Sequence, residues 1–251
     1  MNYNIFVKFK IITLFPKIFP DNDDANGPLS HGLIGRALKD KQFSLEIIDL
    51  KNYANKNRMD FRPFGGGPGM IIRGDLLDNC FQVNNIKKLY FMSPRGKVFD
   101  QNKAKLMAKE EEITILCDRY EGIDERIFYK YDIEEISIGD FILCGGEVAA
   151  MTIIETVVRL LPNVLHNSES IVDESFENYL LEHSHFTYDR NLFGYDVPEL
   201  LFNGNHLAIK EFRFGESLYR TLENRPDLFI KFLFSYFVVN ILFRKFLKKI
   251  I

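Results

Sequence analysis

Four carboxylates, Glu121, Asp140, Asp173 and Glu174, are the side chains of this sequence best suited to moving a proton. None has metal-ligand spacing with its neighbours, and any one alone reads equally as a solvated surface charge. Two glycine-rich stretches could hold a ligand. Phe64 to Met70 reads FGGGPGM; its glycines allow positive φ and close approach of backbone to a bound molecule. The spacing is neither GxGxxG ahead of a helix nor a Walker A loop, so a turn fits the pattern as well as a binding loop does. Ile138 to Gly146 (IGDFILCGG) follows an apolar run. Its paired glycines would let main-chain amides and carbonyls read an adenine edge, and they would serve a strand-to-helix turn equally well.

The elements that must position these residues alternate between strand and helix. Lys10 to Leu14 is a short apolar strand closed by Pro16, Gly35 to Lys41 carries helix formers, and Ser44 to Leu50 (SLEIIDL) is a second strand. Leu89 to Met92, Ile113 to Cys117 and Ile133 to Ile138 are further strands, with a helix over Gln101 to Glu110 between the first two. This alternation implies an α/β domain with a largely parallel sheet. Each of these last three strands runs into a loop of special residues: Ser93-Pro94-Arg95-Gly96, Asp118-Arg119-Tyr120-Glu121-Gly122, and the stretch from Gly139 to Gly146. Ligands of open α/β sheets bind beyond the carboxyl ends of the strands, so a cofactor belongs at these three loops. A helix from Glu147 to Leu161 follows, ended by Pro162, with Glu155 and Arg159 sharing a face at i and i+4. Pro162 to Glu177 reads as a linker, and a second, mostly helical segment lies beyond it.

Composition sets broad bounds. A chain of 251 residues with 46% hydrophobic residues is a folded protein of one large or two smaller domains. A net charge of -3 neither supports nor excludes an RNA substrate, because 32 Lys and Arg need only cluster on one face. Cys80, Cys117 and Cys144 form no CxxC pair and imply buried, reduced thiols in a cytoplasmic protein. The apolar stretch from Ile5 to Phe15 is interrupted by Lys8 and Lys10, against a secretion signal. From Leu228 to Ile251 the chain is almost wholly apolar, but Lys231, Asn240 and Arg244 interrupt it. A buried C-terminal helix is the favoured reading, ahead of an interfacial helix or membrane anchor, and no membrane partner is expected.

Taken in order, FGGGPGM, MSPRG, CDRYEGIDER, SIGDFILCGGE and NGNH with a following RPDL resemble the bacterial tRNA (guanine-N1)-methyltransferase family, from about Ile11 to Leu228. The resemblance implies a catalytic domain of SPOUT type over residues 1–166, its parallel sheet tied in a deep trefoil knot, a linker or lid over 167–179, and a small, mostly helical tRNA-binding domain over 180–251. It implies a homodimer that uses S-adenosylmethionine to methylate guanine N1 at position 37 of tRNA, with Mg2+. On that resemblance the methyl donor is held by Phe91, Met92, Ser93, Pro94, Asp118, Tyr120, Ile138, Gly139, Asp140, Phe141, Ile142, Leu143, Gly145 and Gly146. Arg159 would steady charge on guanine O6, and Glu121 is a candidate Mg2+ ligand.

The chain departs from the family pattern at the general base. An Asp-Ser-Phe motif is usual there, whereas this sequence has Glu174-Ser175-Phe176 preceded by Asp173. Glu174 is assigned the role, with Asp173 as the alternative. Asp118 stands where many members have Gly, and Phe91 and Phe141 replace a frequent Tyr. His185-Phe186-Thr187-Tyr188-Asp189 stands where a Tyr-Thr-Arg-Pro run is common, removing one basic residue. Competing readings are a knotted methyltransferase acting on ribosomal RNA or a ribose 2′-hydroxyl, and a non-catalytic RNA-binding relative.

Overall fold

A computed structural model describes residues 6–20, 27–54, 58–165 and 174–237. The chain divides into two compact units, Met1–His166 and Asn167–Ile251.

The first unit is built on a five-stranded sheet in the order β2-β1-β6-β5-β7, every pair parallel: β1 (Val7–Thr13), β2 (Phe43–Asp49), β5 (Lys88–Val98), β6 (Glu112–Leu116) and β7 (Asp132–Ser137). Two short strands, β3 (Asp60–Phe61) and β4 (Ile71–Ile72), form a separate antiparallel pair. The helices are α1 (Gly32–Lys39), α2 (Gly74–Val83), α3 (Gln101–Met107) and α4 (Glu147–Val158). β1 lies between β2 and β6, and its final residues Ile11, Ile12 and Thr13 are all buried, as befits a strand covered on both faces. Successive residues divide between two cores. Ile11, Met92, Cys117 and Ile136 face one cluster with Ile153, Ile154 and Val157 of α4. Ile12, Phe91 and Leu116 face the other with Leu77 and Phe81 of α2. This is the period-2 alternation of a pleated strand expressed as two layers. Burying an Ile or Val fully stabilises by roughly 1.5–3 kcal/mol, so the apolar face of α4 is a main anchor of the fold.

Helix α2 is absent from the sequence expectations. Its N-cap residue, Arg73, offers no side-chain cap, and the helix forms because Leu76, Leu77, Cys80 and Phe81 pack into the second core. β5 also differs from expectation. It does not end at Met92 but resumes at Lys97, because Ile136 of β7 pairs with both Met92 and Lys97 and the four residues between bulge outward. Gly96 closes this excursion. A Cβ there would lie 2.4 Å from the backbone carbonyl carbon of Glu135.

The second unit contains α5 (His206–Asn224), capped by Asn205, whose side chain accepts a hydrogen bond from the Ala208 amide. A further helix covers 226–237. Residues 180–205 are not helical apart from a 3-10 turn, Glu199–Phe202, and they include a two-residue hairpin of β8 (Asn191–Leu192) and β9 (Tyr195–Asp196). The helix over 226–237 buries Leu228 but leaves Ile230, Phe234, Tyr236 and Phe237 more than half exposed, so the burial expected of this segment does not hold for its described part. Its continuation from 238 lies outside the described residues. Among the described residues no helix is long and apolar enough to cross a membrane. Cys80 and Cys117 are buried thiols, but Cys144 is exposed, contrary to expectation.

Candidate active site

The three loops beyond β5, β6 and β7 meet around a cleft of about 240 Å³. β5 contributes Met92, Ser93 and Pro94; the β6 loop contributes Asp118, Arg119, Tyr120 and Glu121. The β7 loop contributes Ile138, Gly139, Phe141, Ile142, Leu143, Cys144, Gly145 and Gly146. Two residues assigned to the cofactor lie elsewhere. Phe91 is buried on the opposite face of β5, where its ring meets Phe128 edge-on at 6.1 Å, and Asp140 is exposed outside the lining.

Small residues let the loops close on one another. The Gly146 amide donates to the Asp118 carbonyl at 3.1 Å, and a Cβ on Gly146 would sit 2.9 Å from Cys117 Cα. Ser137 Oγ fixes the start of the third loop, accepting from the Gly139 amide and donating to the Gly139 carbonyl. Gly139 has φ +148, a conformation that L side chains rarely adopt. Phe141 and Ile142 are exposed at the rim, offering apolar surface to a flat heterocycle.

Beneath the cleft lies a charge pair that sequence reasoning missed. Glu147, at the first turn of α4, is 1% exposed. Its Oε1 accepts from Thr13 Oγ1 at 2.8 Å and from Arg119 Nε at 3.3 Å, while Oε2 lies 2.9 Å from Arg119 Nη2. Oε2 takes no hydrogen bond among the described residues, so it is held by charge alone. Arg119 also donates to the Cys144 carbonyl at 3.1 Å and stacks over the Phe15 ring, 4.4 Å from its centroid. One guanidinium thus ties the second loop to the third. A charge at a helix start ordinarily reads as solvated, and the available signal was an acid directly after two glycines with an arginine in the neighbouring strand-end loop.

Burial pushes the Asp118 carboxyl up to about 6, helped by the nearby Glu147 charge and opposed by its own amide and by Arg119. Burial likewise pushes the Cys117 thiol well above its ordinary range, so it is inert. The Tyr120 hydroxyl is raised by burial and then by the charge of Asp60.

Glu121 lines the cleft and packs on the glycine-rich block: its amide donates to the Met70 carbonyl at 2.9 Å, and a Cβ on Gly69 would lie 2.4 Å from its Oε1. Gly65, Gly66, Gly67 and Gly69 all have positive φ. Arg159 is the C-cap of α4, its amide donating to the Glu155 carbonyl, and it does not line the cleft. Glu174 belongs to the second unit, where the adjacent Ser175 Oγ accepts from the Glu182 amide at 3.0 Å. Asp173 lies outside the described residues.

Residues 7–231 match the family described as tRNA (Guanine-1)-methyltransferase TrmD. A protein of Neorickettsia sennetsu named tRNA (guanine-N(1)-)-methyltransferase is 41% identical over 226 residues, covering 88% of this chain and 98% of its own length. Proteins of the same name from Anaplasma phagocytophilum and Rhodospirillum rubrum are 43% and 40% identical, each over 88% of this chain and over 94% and 92% of their own lengths. With three strand-end loops around one cleft and relatives alike over almost their whole length, the chain belongs to the tRNA (guanine-1)-methyltransferase family.

Proposed function

We propose that this protein methylates guanine N1 at position 37 of tRNA, 3′ of the anticodon, with S-adenosylmethionine as methyl donor. The observation that carries the reading is the cleft itself, where Ser93-Pro94, Asp118 to Glu121 and the Gly139–Gly146 loop converge. The cleft suits the donor: glycines 145 and 146 let the third loop close on Arg119 and Cys117, and Met92, Ile138 and Leu143 line the cleft with the half-buried Asp118 carboxyl. When bound, S-adenosylmethionine supplies an electrophilic methyl group on a sulfonium. Ile138, Gly139, Ile142, Leu143, Gly145 and Gly146 hold its adenosine, with Asp118 and Tyr120 beside it. Within this reading the segment from Phe91 to Gly146 is knotted. Membership of the family is what supports that topology.

Guanine N1 carries a proton that must leave before the nitrogen attacks. Glu174 takes it, with Asp173 as the alternative, and Arg159 steadies the charge that develops on O6. Glu121 is the residue that would hold Mg2+, an ion that accepts one or two carboxylates and completes its shell with water and substrate oxygens. The protein acts as a homodimer in the cytoplasm, the second unit of one subunit serving the cleft of the other. Among the basic residues of α5, Arg213 is suited to a tRNA phosphate, whereas Arg220 donates to Ser184 Oγ within the unit.

The test is incubation with S-adenosylmethionine, Mg2+ and a tRNA transcript carrying guanosine at positions 36 and 37, beside one with adenosine at 37. The RNA is digested and analysed by mass spectrometry. 1-Methylguanosine in the first transcript alone is expected; product in both, or in neither while the donor still binds, overturns the site assignment.

A further inference from the structure

We infer that Glu182, His183 and His185 form a binding site for one divalent transition-metal ion of the zinc class. A nitrogen of each histidine and an oxygen of Glu182 lie within 4.8 Å of one another, the one such group of three among the described residues. His185 Nε2 is 2.8 Å from Glu182 Oε1, and the two imidazoles meet with centroids 4.7 Å apart. His183 Nδ1 is buried without a hydrogen-bond partner. A buried imidazole nitrogen left unsatisfied costs free energy, and a metal ion is one of the few partners that would relieve it.

The ligand set selects the ion. Two imidazoles and one carboxylate suit zinc and its neighbours, which bind nitrogen at about 2.0–2.1 Å, whereas Mg2+ favours an all-oxygen octahedron. Tetrahedral coordination needs donor atoms roughly 3.3 Å apart, so the His185–Glu182 pair at 2.8 Å must open slightly and give up its hydrogen bond to the ion, while the widest separation in the group, within 4.8 Å, must close. Three protein ligands leave a fourth position for water.

The backbone of this segment is already anchored. The Leu181 amide donates to Thr221 Oγ1 at 2.8 Å, the Glu182 amide to Ser175 Oγ at 3.0 Å, and the Ser184 amide to Glu216 Oε2 at 3.0 Å. Arg220 donates to Ser184 Oγ at 2.6 Å. The Leu181, Glu182 and Ser184 amides are therefore tied to α5 and to the turn at Ser175, which fixes the backbone, while the side chains of Glu182 and His185 pair with each other beside the His183 ring. All of these residues lie in the second unit.

The test uses the full chain, stripped with a chelator and titrated calorimetrically with zinc chloride in excess Mg2+. One equivalent per chain is expected. His183→Asn and His185→Asn should each weaken binding by about tenfold or more, and the double variant should abolish it, while Cys144→Ser changes nothing. Far-UV circular dichroism without zinc checks that the variants fold. Glu182→Gln offers a milder change, expected to weaken binding with the segment intact. Cobalt(II) in the wild-type chain should give a spectrum without thiolate charge-transfer bands. An equivalent of zinc retained by the double variant, or no uptake by the wild type, overturns the site.

Discussion

Arg119 Nη2 lies 2.9 Å from Glu147 Oε2, joining the loop after β6 to the first turn of α4 through a carboxylate that is almost wholly buried. Removing the cation would leave a charge stranded in the core. Arg119→Ala should therefore destabilise by about 3–5 kcal/mol. Glu147→Gln, which keeps the shape and leaves the partly exposed guanidinium access to water, should cost only about 1–2 kcal/mol. Urea unfolding of the two variants checks the order; equal small losses would mean that the pair is incidental.

Asp118 sets a pH dependence of definite sign. Its carboxyl is pushed up to about 6 from an ordinary 3.8, so between those values the folded state binds the extra proton. Stability therefore falls as pH rises through this window, by up to ~3 kcal/mol, and the loss is complete above it. Asp118→Asn should flatten that slope. The gap between variant and wild type should be near zero at about pH 4 and largest near pH 7, as read from urea midpoints across that range. A gap independent of pH would show that the burial of Asp118 is not what matters.

Gly146→Ala and Gly215→Ala make a contrasting pair. The first adds a methyl 2.9 Å from Cys117 Cα and 3.0 Å from Met92 Cβ; the second adds one to α5 with nothing within 4 Å. Gly146→Ala should destabilise by about 1–3 kcal/mol and weaken S-adenosylmethionine binding in calorimetry. Gly215→Ala should stabilise by about 0.5–1 kcal/mol and leave donor binding unchanged.

The two candidate bases are separable by kinetics. Glu174→Gln should lower the rate of 1-methylguanosine formation by about 10²–10⁴-fold with little change in donor affinity. Asp173→Asn should leave most of the rate. The reverse order would reassign the proton to Asp173.

Much of the first unit is legible in the sequence because its signals are local. Apolar runs ended by special residues locate β1, β2, β6 and β7 to within three residues at either end, and the same runs locate the three cleft loops. What escaped is tertiary. Helix α2 starts without a side-chain cap and is held by its core contacts, which the sequence alone does not display. Pro94 and Gly96 make β5 read as finished, yet pairing to β7 restarts it. Glu147 is buried by Arg119, 28 positions away, and by Thr13, 134 positions away. Phe91 precedes Met92 in a strand, and neighbours in a strand send their side chains to opposite sides, so the Phe91 ring faces the second core while Met92 lines the cleft. Of the Glu182, His183 and His185 cluster, only His185 belongs to the run that departs from the family pattern; the grouping of the three appears in the fold, with the unsatisfied His183 nitrogen.

The doubled pairing of Ile136, with Met92 before the excursion and Lys97 after it, bears on how fast a ligand can be received. A segment tied at both ends to the same partner has few alternative shapes to search, so Ser93 and Pro94 stand ready before anything arrives. The entropy of fixing that wall, about 1–2 kcal/mol per residue, falls on folding and not on association. Capture at this wall is then governed by encounter and desolvation, without a slow closing step in β5 to limit it.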